Sequence, residues 1–203
     1  MKYTRRNNYE INRRYFSSNY FLLAYFPQLK SLWNTKKIKG VSVSFWMLIA
    51  LSTATTASNL WEVHAVWYVF VPQYMNSTIA LIILLWVAFK KEGFVGLWIT
   101  LMTYSFLISI FAFKLDNDFI QHWASIFIFV AYLEQIVHIL IKKTVQGINP
   151  LLYIGFGVGL LIMATNIILT GTPISAAITE LTNFTMITIA TIVVYYYKNK
   201  ENI

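Results

Sequence analysis

Apolar runs and short polar islands alternate along the chain from Tyr15 to Tyr197. The runs divide into seven spans, roughly Tyr15–Trp33, Val41–Trp61, Ala65–Phe89, Gly93–Phe113, Phe119–Ile141, Pro150–Thr170 and Pro173–Tyr197. A helix of about 20 apolar residues crosses a hydrocarbon core of roughly 30 Å. The first span is the shortest, with 15 uncharged residues between Arg14 and Lys30. Connections are short and leave no room for a soluble domain. The pattern predicts an all-α membrane protein with seven transmembrane helices.

Composition strengthens this reading. Of 203 residues, 58% are hydrophobic and only 12% charged, about half the charge of a soluble domain. There is no cysteine, which excludes disulfides, thiol catalysis and Cys-based metal sites. No cleavable signal is expected, because the first apolar run leads into Pro27-Gln28 and a basic loop. The net charge of +8 sits in lysines that flank apolar runs. It therefore points to lipid headgroups and not to nucleic acid.

The lysines also set an orientation. The loops after spans one, three and five, with the C-terminal tail, hold ten lysines, from Lys30 to Lys200. The loops after spans two, four and six hold Lys114 alone, beside Asp116 and Asp118. The positive-inside rule then predicts a cytoplasmic C-terminus and an exported N-terminus. The tail at 1–14, with Lys2, Arg5, Arg6, Arg13 and Arg14, runs against that rule. An integral, multi-pass protein of the plasma membrane is expected.

At an offset of 107 residues the chain matches itself without a gap. Ala24-Tyr25 pairs with Ala131-Tyr132, Gln28 with Gln135, Lys36 with Lys143 and Gly40 with Gly147. Further along, Ala57 pairs with Ala164, Asn59 with Asn166, Asn76 with Asn183 and Lys91 with Lys198. Amide matches inside apolar spans are costly to retain by chance. The match predicts a three-helix unit over 15–91, a linker helix over 92–118, a second unit over 119–198 and a tail over 199–203. An unpaired linker between units of three helices gives both the same orientation, as parallel repeats. The expected architecture is two parallel three-helix bundles joined by a linker helix, a layout that leaves room for a homo-oligomer.

Pro27-Gln28-Leu29, Asn34-Thr35-Lys36-Lys37 and Gly40-Val41-Ser42 resemble the PQ-loop pattern. The second copy reads Glu134-Gln135-Ile136, Lys142-Lys143-Thr144 and Gly147-Ile148-Asn149, with Glu134 in place of proline. Two such repeats around a linker are similar to the SWEET sugar transporters. Cystinosin-like and cationic amino acid exporters and the KDEL receptors share the layout. The resemblance implies transport of a small polar solute, a sugar first, by alternating access, with a hinge at Pro27, Gln28 and Gln135. It implies no enzyme activity, cofactor or metal. Proline removes a backbone hydrogen bond and kinks a helix, and the Gln28 amide is expected to satisfy the freed carbonyl. Gly155, Gly157 and Gly159 read as a close-packing face or a second hinge.

Polar side chains within the spans are the candidate site. Asn76 and Asn183 lie near mid-span and are expected to face each other as substrate ligands, as the resemblance also implies. Both open Asn-x-Ser/Thr patterns, but at bilayer depth glycosylation is excluded. Asn59, Asn166 and Trp61 are expected along the outer vestibule. Glu134 and His138, four apart on one helix face, and Glu180 are candidates for a proton relay. These suit an alternative reading, a proton-coupled amino acid or cationic-metabolite exporter; a vitamin transporter of the same layout is another. The small, polar stretch Ser52–Ser58 reads as a close helix approach. His64 and His122 read as solvated. No spacing suggests a metal site, phosphate loop or nucleophilic triad.

Overall fold

The computed structural model describes residues 23–62, 64, 67–112, 117–169 and 174–201. The basic tail, the start of the first expected span and the acidic connection around Lys114 lie outside that set. The described residues form six helices and no strand. Helix α1 covers 23–34. It is followed by α2 (Val43–Glu62), α3 (Trp67–Ala112), α4 (Asn117–Lys142), α5 (Pro150–Leu169) and α6 (Ile174–Glu201).

The all-helical architecture agrees with expectation, but the count is six helices and not seven. The difference lies in α3, whose 46 residues include the connection expected at Lys90–Glu92. A continuous rod of that length would reach about 70 Å. Instead Gly93, with φ 71° and ψ −159°, interrupts the helical backbone. Only a residue without Cβ adopts that conformation cheaply. Beyond it the chain doubles back. Tyr104 and Ile108 line one cavity together with Ser77 and Leu81. The expected linker helix is thus the second half of α3.

Two segments, Gln73–Ile110 and His122–Lys142, are long and apolar enough to cross a membrane. Along the second half of α3, Phe94, Trp98, Met102, Phe106 and Ile110 are exposed at helical spacing. A continuous exposed apolar stripe is unusual on a soluble monomer and suggests membrane association.

Inside, α2 packs against α3 and α4, α5 against α6, and α4 against α6. Ser52 Oγ on α2 donates to the Ala124 carbonyl of α4 at 2.7 Å. Thr53 and Thr55 are buried with their hydroxyls returned to their own helix, so the small polar stretch lets two helices approach closely. Between α1 and α5 the fit is tighter still. A Cβ placed on Gly155 would lie 2.6 Å from Ala24 Cβ, and the Tyr25 ring meets Phe156 edge-on at 5.0 Å.

Candidate functional site

Two short loops lie together at the end of the bundle where α1 and α4 finish. Each contains a turn closed by one backbone bond, Val41 N to Ile38 O at 3.2 Å and Ile148 N to Val145 O at 2.9 Å. Each then starts a helix with a capping side chain. Ser42 Oγ accepts from Phe45 N at 3.1 Å, and Asn149 Oδ1 accepts from Leu151 N at 3.0 Å. Pro150 follows Asn149 at the first helical position, where its missing N–H costs nothing.

The loops interlock through their glycines. A Cβ on Gly40 would lie 2.6 Å from Thr144 O and from Val145 Cα. A Cβ on Gly147, where φ is +89°, would lie 2.7 Å from Ile38 Cγ2. Gly40 N donates to Gln146 O at 3.2 Å.

The two glutamines complete the clamp, each reaching across to the other loop. Gln28 Nε2 donates to Gly147 O at 2.8 Å, and Gln28 Oε1 accepts from Asn149 N at 2.8 Å. Gln135 Nε2 donates to Gly40 O at 2.8 Å, and Gln135 Oε1 accepts from Ser42 N at 3.1 Å. Both amides are buried and use both functions. Every one of these pairs obeys the 107-residue offset. The neighbouring positions follow it too: Asn149 Nδ2 donates to Pro27 O at 3.1 Å, while Ser42 Oγ donates to Glu134 Oε1 at 2.6 Å. The expected use of Gln28, to satisfy a carbonyl freed by Pro27 within its own helix, is therefore corrected. Its amide is committed to the opposite loop.

Glu134 keeps one oxygen in reserve. Its Oε2 is buried without a hydrogen-bond partner. His138 lies one turn on, but its Nε2 donates to Lys39 O at 3.1 Å. Both side chains thus address the first loop from one face of α4, and no bond links them.

The asparagines stand apart from this end. Tyr25 OH donates to Asn76 Oδ1 at 2.6 Å. Asn183 is buried and makes no side-chain hydrogen bond among the described residues. No described contact joins the two. Asn59 is half-buried on the last turns of α2. The side chains of Asn166 and Glu180 lie outside the described set.

Trp61 lies at the far end of α2, on the rim of a cavity of about 820 Å³. Its walls come from α2 and from both halves of α3, with Ser58, Phe70, Tyr74, Ser77 and Tyr104 among them. Asn59, Asn76 and Asn183 are not in its lining. Sequence reasoning named Trp61 but missed the cavity, because its other wall is supplied by the unrepeated second half of α3. It also missed Ser42 and Asn149, although their shared position just after the two loop glycines was visible.

No protein-family model, no curated protein and no solved structure matches this chain.

Proposed function

We propose that this protein is a membrane transporter that moves a small polar solute, a sugar first, by alternating access between two parallel three-helix units. In this reading α3 is two spans joined at Gly93, which makes seven with a short first span. The layout is that of PQ-loop transporters, with the lysine-rich loops and the C-terminus in the cytoplasm of a cell whose plasma membrane holds it.

The observation that carries the reading is the reciprocal clamp. Six side-chain hydrogen bonds tie α1 and α4 to the opposite loops, in pairs related by the 107-residue offset. Two units that exchange equivalent contacts across an axis can close one end as a gate. At about 1 kcal/mol net per bond, the clamp holds roughly 6 kcal/mol. Moving a two-state equilibrium from 1:99 to 99:1 takes about 5.5 kcal/mol, so solute binding can trade against such a gate. Pro27, beside Gln28, is the hinge about which α1 swings, and Asn76 and Asn183 are the ligands behind the gate.

Uptake of a panel of labelled sugars, amino acids and vitamins into proteoliposomes tests this. One class is expected to accumulate above empty liposomes, and Asn76→Ala and Asn183→Ala are each expected to reduce that flux at least tenfold. Unchanged flux in both variants would remove the asparagines from the site, and absence of flux for every class would remove transport.

The unpartnered Glu134 oxygen favours proton coupling as a second reading. A carboxylate that bonds Ser42 through one oxygen and buries the other without a partner is a candidate proton carrier within a span. An imposed pH gradient is then expected to drive flux in the native protein and not in Glu134→Gln. Flux that ignores the gradient rejects the coupling and leaves the transporter reading intact.

A further inference from the structure

The cavity at the end of α2 remote from the clamp has a chemistry of its own. On α2 it is lined at helical spacing by Ala54, Ser58, Trp61 and Glu62. The small residues leave the space, while Trp61 and Glu62 form the rim. Trp61 and Phe70 have ring centroids 5.2 Å apart, and Phe70 and Tyr74 are 5.9 Å apart. These rings make one continuous aromatic wall. Beside it stands the Glu62 carboxylate, exposed and with no basic side chain among the described lining residues. Deeper in, the lining is mostly apolar, with Leu81 and Ile108. The Ser77 and Tyr104 hydroxyls are also part of that lining.

The combination selects a ligand class. The volume of about 820 Å³ lies within the range of small-molecule sites, roughly 300–1,000 Å³. Aromatic faces attract cations through their quadrupole, and a carboxylate at the same rim adds charge attraction. An anion would meet only repulsion here. A fully hydrated sugar would find few free donors, because the Thr55 and Thr78 hydroxyls of the lining are returned to their own helices. We infer that this cavity binds an amphipathic organic cation, an ammonium or phosphonium head held by Glu62 and the Trp61–Phe70–Tyr74 wall with its apolar body toward Leu81. This site lies between α2 and α3 with neither Asn76 nor Asn183 in its lining, and does not depend on the transporter reading.

The test uses the full chain in lipid nanodiscs, with radiolabelled tetraphenylphosphonium as the probe. Saturable binding is expected, weakened about tenfold in Glu62→Gln and about tenfold in Trp61→Ala. Trp61→Phe, which keeps a ring, is expected to recover most of the affinity. Circular dichroism and gel filtration identify variants that fold like the native chain, and Glu62→Gln, on an exposed side chain, keeps the test open if Trp61→Ala misfolds. Competition by an uncharged tetraphenyl compound as effective as the cation would show that the cavity takes apolar molecules or lipid, and would overturn the inference. Undiminished binding in folded Glu62→Gln would overturn it as well.

Discussion

Gly40→Ala is expected to lower the stability of the protein by roughly 3 kcal/mol or more, the upper part of the range for overpacked sites. The added methyl would meet Thr144 O, Val145 Cα and Val145 C at 2.6–2.7 Å. All three are backbone atoms, so no side-chain rotation relieves the clash. The loops must separate, and with them go the bonds that Gly40 makes to Gln135 through its carbonyl and to Gln146 through its N–H. Gly93→Ala is the control. A Cβ there meets nothing within 4 Å, so only the backbone conformation, φ 71° with ψ −159°, is penalised, at about 1–3 kcal/mol. Thermal unfolding in detergent should therefore show a distinctly larger loss for Gly40→Ala than for Gly93→Ala. Equal losses would mean that the loops do not bear on each other.

The same pair of glycines shows how far the sequence could be read. Self-comparison aligned Gly40 with Gly147 and Gln28 with Gln135, because equivalent loops keep equivalent residues. It could not say that each glutamine serves the other loop. The partners lie 119 and 95 positions apart, and neither periodicity nor an offset encodes contact at that range. Gln28 accordingly read as the servant of its neighbour Pro27. The helix count failed for a different reason. Charge at Lys90–Glu92 suggested a connection, but lysines at a membrane surface are as compatible with helix as with loop, and the reversal falls to the single glycine that follows. There Lys90 is turned to capping, its Nζ donating to the carbonyls of Leu32 and Thr35 at the end of α1. The aromatic cavity was illegible because its walls are joined by that reversal: Tyr74 and Ser77 precede Gly93, and Tyr104 follows it.

Gln28→Ala and Gln135→Ala address the proposed gate. Each removes two buried bonds and leaves a carbonyl and an N–H of the opposite loop without partners. Each stranded group costs about 1–3 kcal/mol while it stays buried, and opening the loops to water relieves that cost. The variants should therefore populate the open state more, by about 30-fold or more for each glutamine, from two stranded groups at 1.4 kcal/mol per decade. The absence of cysteine allows a clean reading. Val145 is buried between the loops, so a Val145→Cys reporter is shielded from a membrane-impermeant maleimide while the clamp is closed. Labelling should accelerate by that factor in either single variant and further in the double. Because the two amides perform the same task on opposite loops, the two single variants should have similar effects, whereas an inert packing contact would produce no acceleration in either. If labelling is fast in the native chain and unchanged in both variants, the clamp does not gate access at this end. If Gln28→Ala alone accelerates it, the halves differ in function, and the carboxylate of Glu134, which also holds Ser42, carries the first loop without the help of Gln135.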